Sequence, residues 1–236
     1  NVESIPELYR IDKLAKSLDK IAGISFRVNP DIDARTHPHI TTGLAHNKFG
    51  LCFAEAFEGY ILAKTLKNVK ITGIHTHIGS QITDSGSFAL ASKKVSRYIR
   101  KLKSVGVKLK YIDMGGGLGI KYKNEKVISP SSYAKAVMSH LPPLENYTLL
   151  LEPGRFLIGD AGVLVTKIIY VKKTSKRNFL IVDAGMNDLA RPAIYGAYHE
   201  IIPAESRCGV EHNWDIAGPI CESSDIFAKD RNIPPV

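Results

Sequence analysis

A repeated switch of hydrophobic period governs the first two-thirds of this chain. Leu8, Ile11, Ala15, Leu18 and Ile21 recur every three to four residues, which predicts a helix over residues 6–21. Residues 24–28 then read as a strand, and residues 30–48 as a polar loop. A second helical stripe runs from Phe53 to Leu66, followed by a strand from Val69 to Thr76. A third stripe spans Phe88 to Val105, with Asp84 or Ser85 as its cap and Gly106 at its end. Lys110 to Met114 is a further strand. Ser129-Pro130 opens a fourth helix with Tyr133, Val137 and Leu141 on its face, and residues 147–152 form another strand. Strand and helix alternating at roughly 40 residues per unit require parallel strands joined by helical crossovers.

After Gly159 the pattern changes. Val163 to Val171 and Asn178 to Val182 are β-branched runs joined by a turn holding Lys172, Lys173, Lys176 and Arg177, a hairpin signature. Residues 1–159 therefore read as one domain and residues 160–236 as a second, mostly-β domain. Two architectures suit the first: an open doubly wound sheet or a β/α barrel. Gly115-Gly116-Gly117-Leu118-Gly119 follows a strand, but its spacing fails the dinucleotide pattern G-x-G-x-x-G. A barrel needs eight strands, and four are evident, so a barrel reading places the start of this chain partway through one. Asn1 in place of Met, with no basic-then-apolar leader behind it, fits a mature product or an internal segment.

Composition narrows the function. No apolar run approaches the length of a membrane span. Cys52, Cys208 and Cys221 are too few and too scattered for a disulfide framework or a zinc knuckle. The formal charge of +9 admits anionic partners, but the basic residues are dispersed and lack an aromatic platform for nucleic acid.

Chemistry-bearing residues cluster just past the strands: His75 and His77 with Gly79 and Ser80, then the glycine run, then Glu152-Pro153-Gly154-Arg155. In a β/α barrel these positions meet at the carboxyl ends of the strands, where active sites sit. Bare backbone N–H groups in the glycine run suit a phosphate, although a tight turn explains it equally. His75-x-His77 shares one face and could pair on a metal, but no further His and Asp ligand set is evident. A histidine there could instead stack on a ring. Glu152 could hold a protonated ring nitrogen or pair with Arg155. Arg191 could clamp a carboxylate, and Cys221, lying among acids, suits a proton donor or a structural role better than a nucleophile.

Taken in chain order, several segments resemble the diaminopimelate decarboxylase family, pyridoxal-phosphate enzymes built on the alanine-racemase barrel. They are Arg27-Val28-Asn29-Pro30, Thr42-Gly43 with Asn47-Lys48-Phe49-Gly50, His77-Ile78-Gly79-Ser80-Gln81 and Gly115-Gly116-Gly117. Glu152-Pro153-Gly154-Arg155, Asp183-Ala184-Gly185-Met186-Asn187, Arg191-Pro192-Ala193 and Gly218-Pro219 with Cys221-Glu222 complete the set. The resemblance implies an α/β fold: the C-terminal part of a pyridoxal-phosphate-binding β/α (TIM-type) barrel, then a mostly-β domain, both incomplete. It implies decarboxylation of meso-2,6-diaminopimelate to L-lysine and CO2, with pyridoxal 5'-phosphate as cofactor and no metal, in the cytoplasm.

Residue by residue, His77 is implied to stack on the cofactor ring. Ser80, Gly115, Gly116, Gly117, Gly154 and Arg155 are implied to help hold the cofactor, and Glu152 to pair with its ring nitrogen. Arg155, Arg191 and Tyr195 would grip the distal carboxylate, Glu222 the distal ammonium, and Cys221 would return a proton. Cys221 and Glu222 are implied to serve the partner subunit's site in a homodimer. Ser224 stands where the family usually has Gly. The family's cofactor-anchoring lysine matches no lysine here, Lys48 included, and is expected upstream of residue 1, with a further substrate-contacting Tyr expected after Val236. The isolated chain is therefore expected to be inactive and marginally folded. Rival readings are a decarboxylase of ornithine, arginine or a related polyamine precursor, a metal-dependent barrel hydrolase, and a basic nucleic-acid-binding module.

Overall fold

The computed structural model describes residues 1–32, 48–205 and 209–234, in two compact units. The first comprises Asn1–Ile120 and Lys126–Gly159; the second comprises Lys121–Glu125 and Asp160–Val236. The predicted loop at 30–48 lies mostly outside the described residues, as do Thr42, Gly43 and Asn47 of the family motif, and Cys208.

In the first unit four helices alternate with four strands. They are α1 (Ile5–Ser17), β1 (Ala22–Arg27), α2 (Phe53–Ala63), β2 (Val69–His75), α3 (Ser85–Ser104), β3 (Tyr111–Asp113), α4 (Pro130–Met138) and β4 (Thr148–Leu150), with a short α5 (Gly154–Ile158) behind. The strands are parallel, in the order β1-β2-β3-β4. Local chemistry starts each long helix. Ser4 Oγ accepts the Glu7 N–H, and Asp84, not Ser85, accepts the Gly86 and Ser87 N–H groups. Ser129 caps α4 ahead of Pro130. Cys52 is exposed, and it caps α2 in a reciprocal pair with Glu55, Sγ accepting the Glu55 N–H at 3.4 Å.

One helix is shorter than its apolar period predicts. α1 stops at Ser17, and Leu18 and Ile21 are exposed. Asp19 adopts φ 51°, while the N–H groups of Asp19 and Lys20 return to Lys16 O and Ala15 O. That is a Schellman end with Asp in the left-handed place where glycine is usual. The core of this unit surrounds Phe26, Tyr60, Phe88, Leu102 and Ile112. The Tyr60 hydroxyl donates to Gly73 O at 2.7 Å, so its one buried polar atom is satisfied.

The second unit is a four-stranded sheet in the order β5-β6-β7-β8: β5 (Ile168–Lys173), β6 (Asn178–Val182), β7 (His212–Ala217) and β8 (Ile226–Ile233). The predicted hairpin is present as the antiparallel β5–β6 pair. β5 begins later than its β-branched run suggests, because the Asp183 side chain captures the Thr166 hydroxyl and the Lys167 N–H. The basic turn is only partly a solvated loop: Arg177 Nη1 donates to Asp215 Oδ2 at 2.7 Å. A short α6 (Arg191–Tyr195) interrupts the β pattern.

Candidate active site

Parallel pairing lines up the carboxyl ends of the first unit's strands. Their last paired row reads Arg27–His75–Asp113–Leu150. Just beyond it lie His77, the glycine run and Glu152, so three of the sequence clusters meet at one end of one sheet.

The glycine run is fixed by close backbone approach. A Cβ on Gly115 would stand 2.4 Å from Thr76 O, one on Gly116 2.0 Å from Glu152 O, and one on Gly117 2.3 Å from Gly79 O. Gly115 and Gly117 also carry φ of 66° and 101°. The N–H groups are less bare than the sequence suggested. Gly115 N–H donates to Asp113 Oδ1 at 2.9 Å, and Gly116 N–H to His77 Nδ1 at 3.1 Å. The second bond leaves His77 Nδ1 as an acceptor, so the ring's proton sits on Nε2. Burial, aided by Arg27 and His75, pushes His77 down to about 4, which keeps the ring uncharged near neutral pH. Among the described residues, a Cβ on Gly154 would meet nothing within 4 Å.

Ser80 lies between two unusual conformations, Gly79 at φ 145° and Gln81 at φ 59°. A non-glycine residue held in that region is maintained by its partners. Gln81 has them: its amide bonds both N–H and C=O of Ile120, and its Oε1 also accepts from Arg155 Nη1 at 3.1 Å. In the sequence, Gln81 stands out only as part of the His77–Gln81 motif. Arg155 is thereby tied to the His77–Gln81 turn.

The sequence also gave no role to Asp113, which stands beside the glycines at the end of β3. His75, Asp113 and Glu152 each present one polar atom, all within 4.8 Å of one another. His75 Nε2 lies 3.5 Å from Glu152 Oε2. Burial pushes His75 down to about 4, with Asp113 opposing and Arg27 reinforcing the shift. Burial also holds the Asp113 carboxyl above its usual range. The three-residue cluster joins His75 to Asp113 and Glu152 and does not include His77.

In the second unit, Arg191 opens α6 and Tyr195 closes it, with Gly196 at φ 59° behind. Arg191 Nη1 lies 2.9 Å from His199 Nε2, and its guanidinium stacks 4.8 Å over Tyr122. A guanidinium only donates, so His199 Nε2 accepts. Cys221 and Glu222 lie on an exposed loop. Buried Asp225 holds that loop, accepting the Met186 N–H at 2.7 Å and the Ile220 N–H at 2.8 Å. The Asp183–Asn187 motif and the Cys221-Glu222 motif, 34 or more residues apart in sequence, are thus joined by a residue that sequence reading left without a role. A cleft of about 600 Å³ in this unit is lined by Ile168, Leu180, Val182, Ile201 and Ile216 among others, and by none of these motif residues.

The model of the pyridoxal-dependent decarboxylase family, pyridoxal binding domain, matches residues 1–159. The diaminopimelate decarboxylase of Vibrio cholerae is 47% identical over 233 residues, 99% of this chain and 56% of that protein. The diaminopimelate decarboxylase of Aquifex aeolicus is 46% identical, over 100% of this chain and 56% of that protein. The crystal structure of the Helicobacter pylori diaminopimelate decarboxylase complexed with L-lysine superimposes with a TM-score of 0.92 at 42% identity, covering all of this chain and 59% of that one. The lysine/ornithine decarboxylase of Vibrio vulnificus, at 20% identity and a TM-score of 0.78, shares the fold. The chain spans little more than half the length of the curated relatives it matches.

Proposed function

The chain belongs to the pyridoxal-dependent decarboxylases, and on that premise we propose that the full-length protein removes CO2 from meso-2,6-diaminopimelate to yield L-lysine, in the cytoplasm. One observation carries the reading. An uncharged His77, three glycines that no side chain can replace, and the Glu152 carboxylate converge at one end of the parallel sheet.

These groups fit pyridoxal 5'-phosphate. The three glycines let the chain turn tightly against Thr76, Gly79 and Glu152, which brings His77 and Glu152 to the same strand end. His77 offers a neutral face for stacking, and Glu152 a half-exposed carboxylate for a cationic ring nitrogen. Ser80, the glycine run, Gly154 and Arg155 would hold the phosphate end. The bound cofactor supplies an electron sink for the bond that loses CO2.

The remaining roles fall to the second unit. Arg191 and Tyr195 grip the distal carboxylate, the planar guanidinium suiting a two-point bond. Glu222 binds the distal ammonium. Cys221 delivers a proton from Sγ to the carbon that CO2 has left. The exposure of Cys221 and Glu222 supports a loop that serves the partner's site in a homodimer. Substrate, cofactor and a second copy are then the partners, and the reading calls for neither nucleic acid nor membrane; among the described residues no helix is long and apolar enough to cross one.

The test uses the full-length protein. After borohydride reduction with the cofactor, peptide mapping should label one lysine stoichiometrically, outside these 236 residues. CO2 release should be robust from meso-diaminopimelate and marginal from ornithine or arginine; comparable release from either would overturn the substrate assignment. Mixing inactive Cys221→Ala and Glu152→Ala proteins should restore about a quarter of native activity, the share of intact sites in randomly mixed two-fold dimers. No recovery would overturn the shared site.

A further inference from the structure

Glu152 is the most exposed member of a three-residue cluster whose other two members are deeply buried. The His75 residue is 4% exposed and Asp113 8%, whereas the Glu152 side chain is 51% exposed. His75 and Asp113 are cross-strand neighbours in the last paired row of β2 and β3. Among the described residues neither imidazole nitrogen of His75 has a hydrogen-bond partner, and Nε2 lies 3.5 Å from Glu152 Oε2. Asp113 Oδ1 accepts the Gly115 N–H, and its carboxyl lies within 4.8 Å of that of Glu152.

Two carboxyl groups within 4.8 Å of each other, one of them buried, do not both ionise readily. Burial decides which keeps its proton, because the charged form is penalised most where water is excluded. That favours the acid form on Asp113, the more deeply buried of the two. The other charges around His75 do not disturb this division. Arg27 is paired with Glu3 at 2.8 Å and covers the ring of Phe49, and His77 is neutral and bound to Gly116. A cationic His75, itself buried, would meet the Arg27 cation across the strand pair.

We propose that Asp113, as the protonated carboxyl, and neutral His75 are positioning residues that present Glu152 as a single, oriented anion to a cationic ring nitrogen. Asp113 would donate to Glu152 while accepting from Gly115. His75 would donate from Nε2 to the same carboxylate once a ring draws it inward, filling a donor that is otherwise buried without a partner. The proposal deepens the cofactor reading and rests on it.

The test is made on the full-length holoenzyme with cofactor labelled with 15N at the ring nitrogen, reading its NMR shift and the cofactor Kd. Asp113→Asn keeps a neutral donor and acceptor, so the signal should stay at the protonated position and Kd within about threefold of native. Asp113→Ala and His75→Ala should each weaken cofactor binding about tenfold and move the signal toward unprotonated pyridine. A shift in Asp113→Asn as large as in Glu152→Gln would mean that Asp113 is natively the anion, and would overturn the proposal. His75→Ala with native shift and Kd would overturn the part given to His75. Asp113→Asn is isosteric, so it decides the first point even where Asp113→Ala fails to fold. Should the native protein itself show an unprotonated ring nitrogen, or bind no cofactor, the cofactor reading fails instead.

Discussion

Among the described residues, the first unit buries twenty-six apolar side chains in one cluster and the second buries six, around Trp214. The second unit relies on carboxylates where the first relies on packing. Asp183 takes the Thr166 hydroxyl and the Lys167 N–H; Asp215 takes Arg177 and the Asp230 N–H; Asp225 takes the Met186 and Ile220 N–H groups. Each closes a turn or ties a loop that a larger core would otherwise hold. Apolar residues of this region remain outside: Val163, Val165 and Ile202 are 89%, 81% and 77% exposed. Burial is non-directional and tolerates small shifts, whereas a carboxylate staple depends on ionisation and on geometry. The two units should therefore fail under different conditions.

The chain carries its own pair of reporters. Its single tryptophan, Trp214, belongs to the second unit, and its four long helices belong to the first. Tryptophan fluorescence and far-ultraviolet circular dichroism thus follow the two units separately. The largest effect is expected for Gly116→Ala, whose Cβ would meet the Glu152 carbonyl at 2.0 Å. It should cost about 4 kcal/mol or more, seen in urea as a lower dichroism midpoint. A native midpoint would show that the turn yields easily.

Core truncations should dissociate the reporters. Leu102→Ala should lower the dichroism midpoint, and Ile216→Ala the fluorescence midpoint, each by about 2–5 kcal/mol. Both variants moving both probes equally would merge the units into one cooperative block.

Acid should separate them next. His75 and His77 titrate near 4 when folded and near 6.5 when unfolded, so the unfolded state binds the extra protons. The first unit then loses stability as pH falls from about 6.5 to 4, by at most ~1.4 kcal/mol per pH unit for each histidine. Asp113 acts oppositely, since its raised carboxyl keeps a proton that the unfolded chain releases. Asp113→Asn should therefore steepen the dichroism loss. The second unit should hold until lower pH. The Thr166 hydroxyl and Lys167 N–H depress Asp183; for Asp215, burial is outweighed by the Asp230 N–H and Arg177. Stability from these two groups is present above the ordinary carboxylate range and lost as pH falls through it. A fluorescence transition beginning at pH 6 would contradict this order. The smallest effect is Cys52→Ser, a better helix cap than a thiol, which should raise the dichroism midpoint by about 0.5–1 kcal/mol and leave fluorescence unmoved.

Legibility in the sequence followed the same division. The first unit's elements could be read from caps and period, because Asp84, Ser129-Pro130 and the apolar stripes act locally. The end of α1 could not, since Asp19 does the work that glycine usually signals. The convergence of His77, the glycine run and Glu152 was legible as strand-end positions. The parts played by Asp113, Gln81 and Asp225 were not, because each acts on a residue brought near only by folding. In the second unit, β5 was overextended at its start for a related reason. A β-branched run says that a strand can form, but Asp183, more than ten residues away, ends the ladder.

The glycine turn has a genetic consequence. Every glycine codon is of the form GGN, and any change in its first or second base either stops translation or adds a β-carbon. At Gly115, Gly116 and Gly117 that single carbon lands within 2.4 Å of a carbonyl oxygen from another part of the chain. In a saturation scan of the gene, these three adjacent codons should accept third-base changes and almost nothing else, a nine-nucleotide window where drift is confined to silent substitutions.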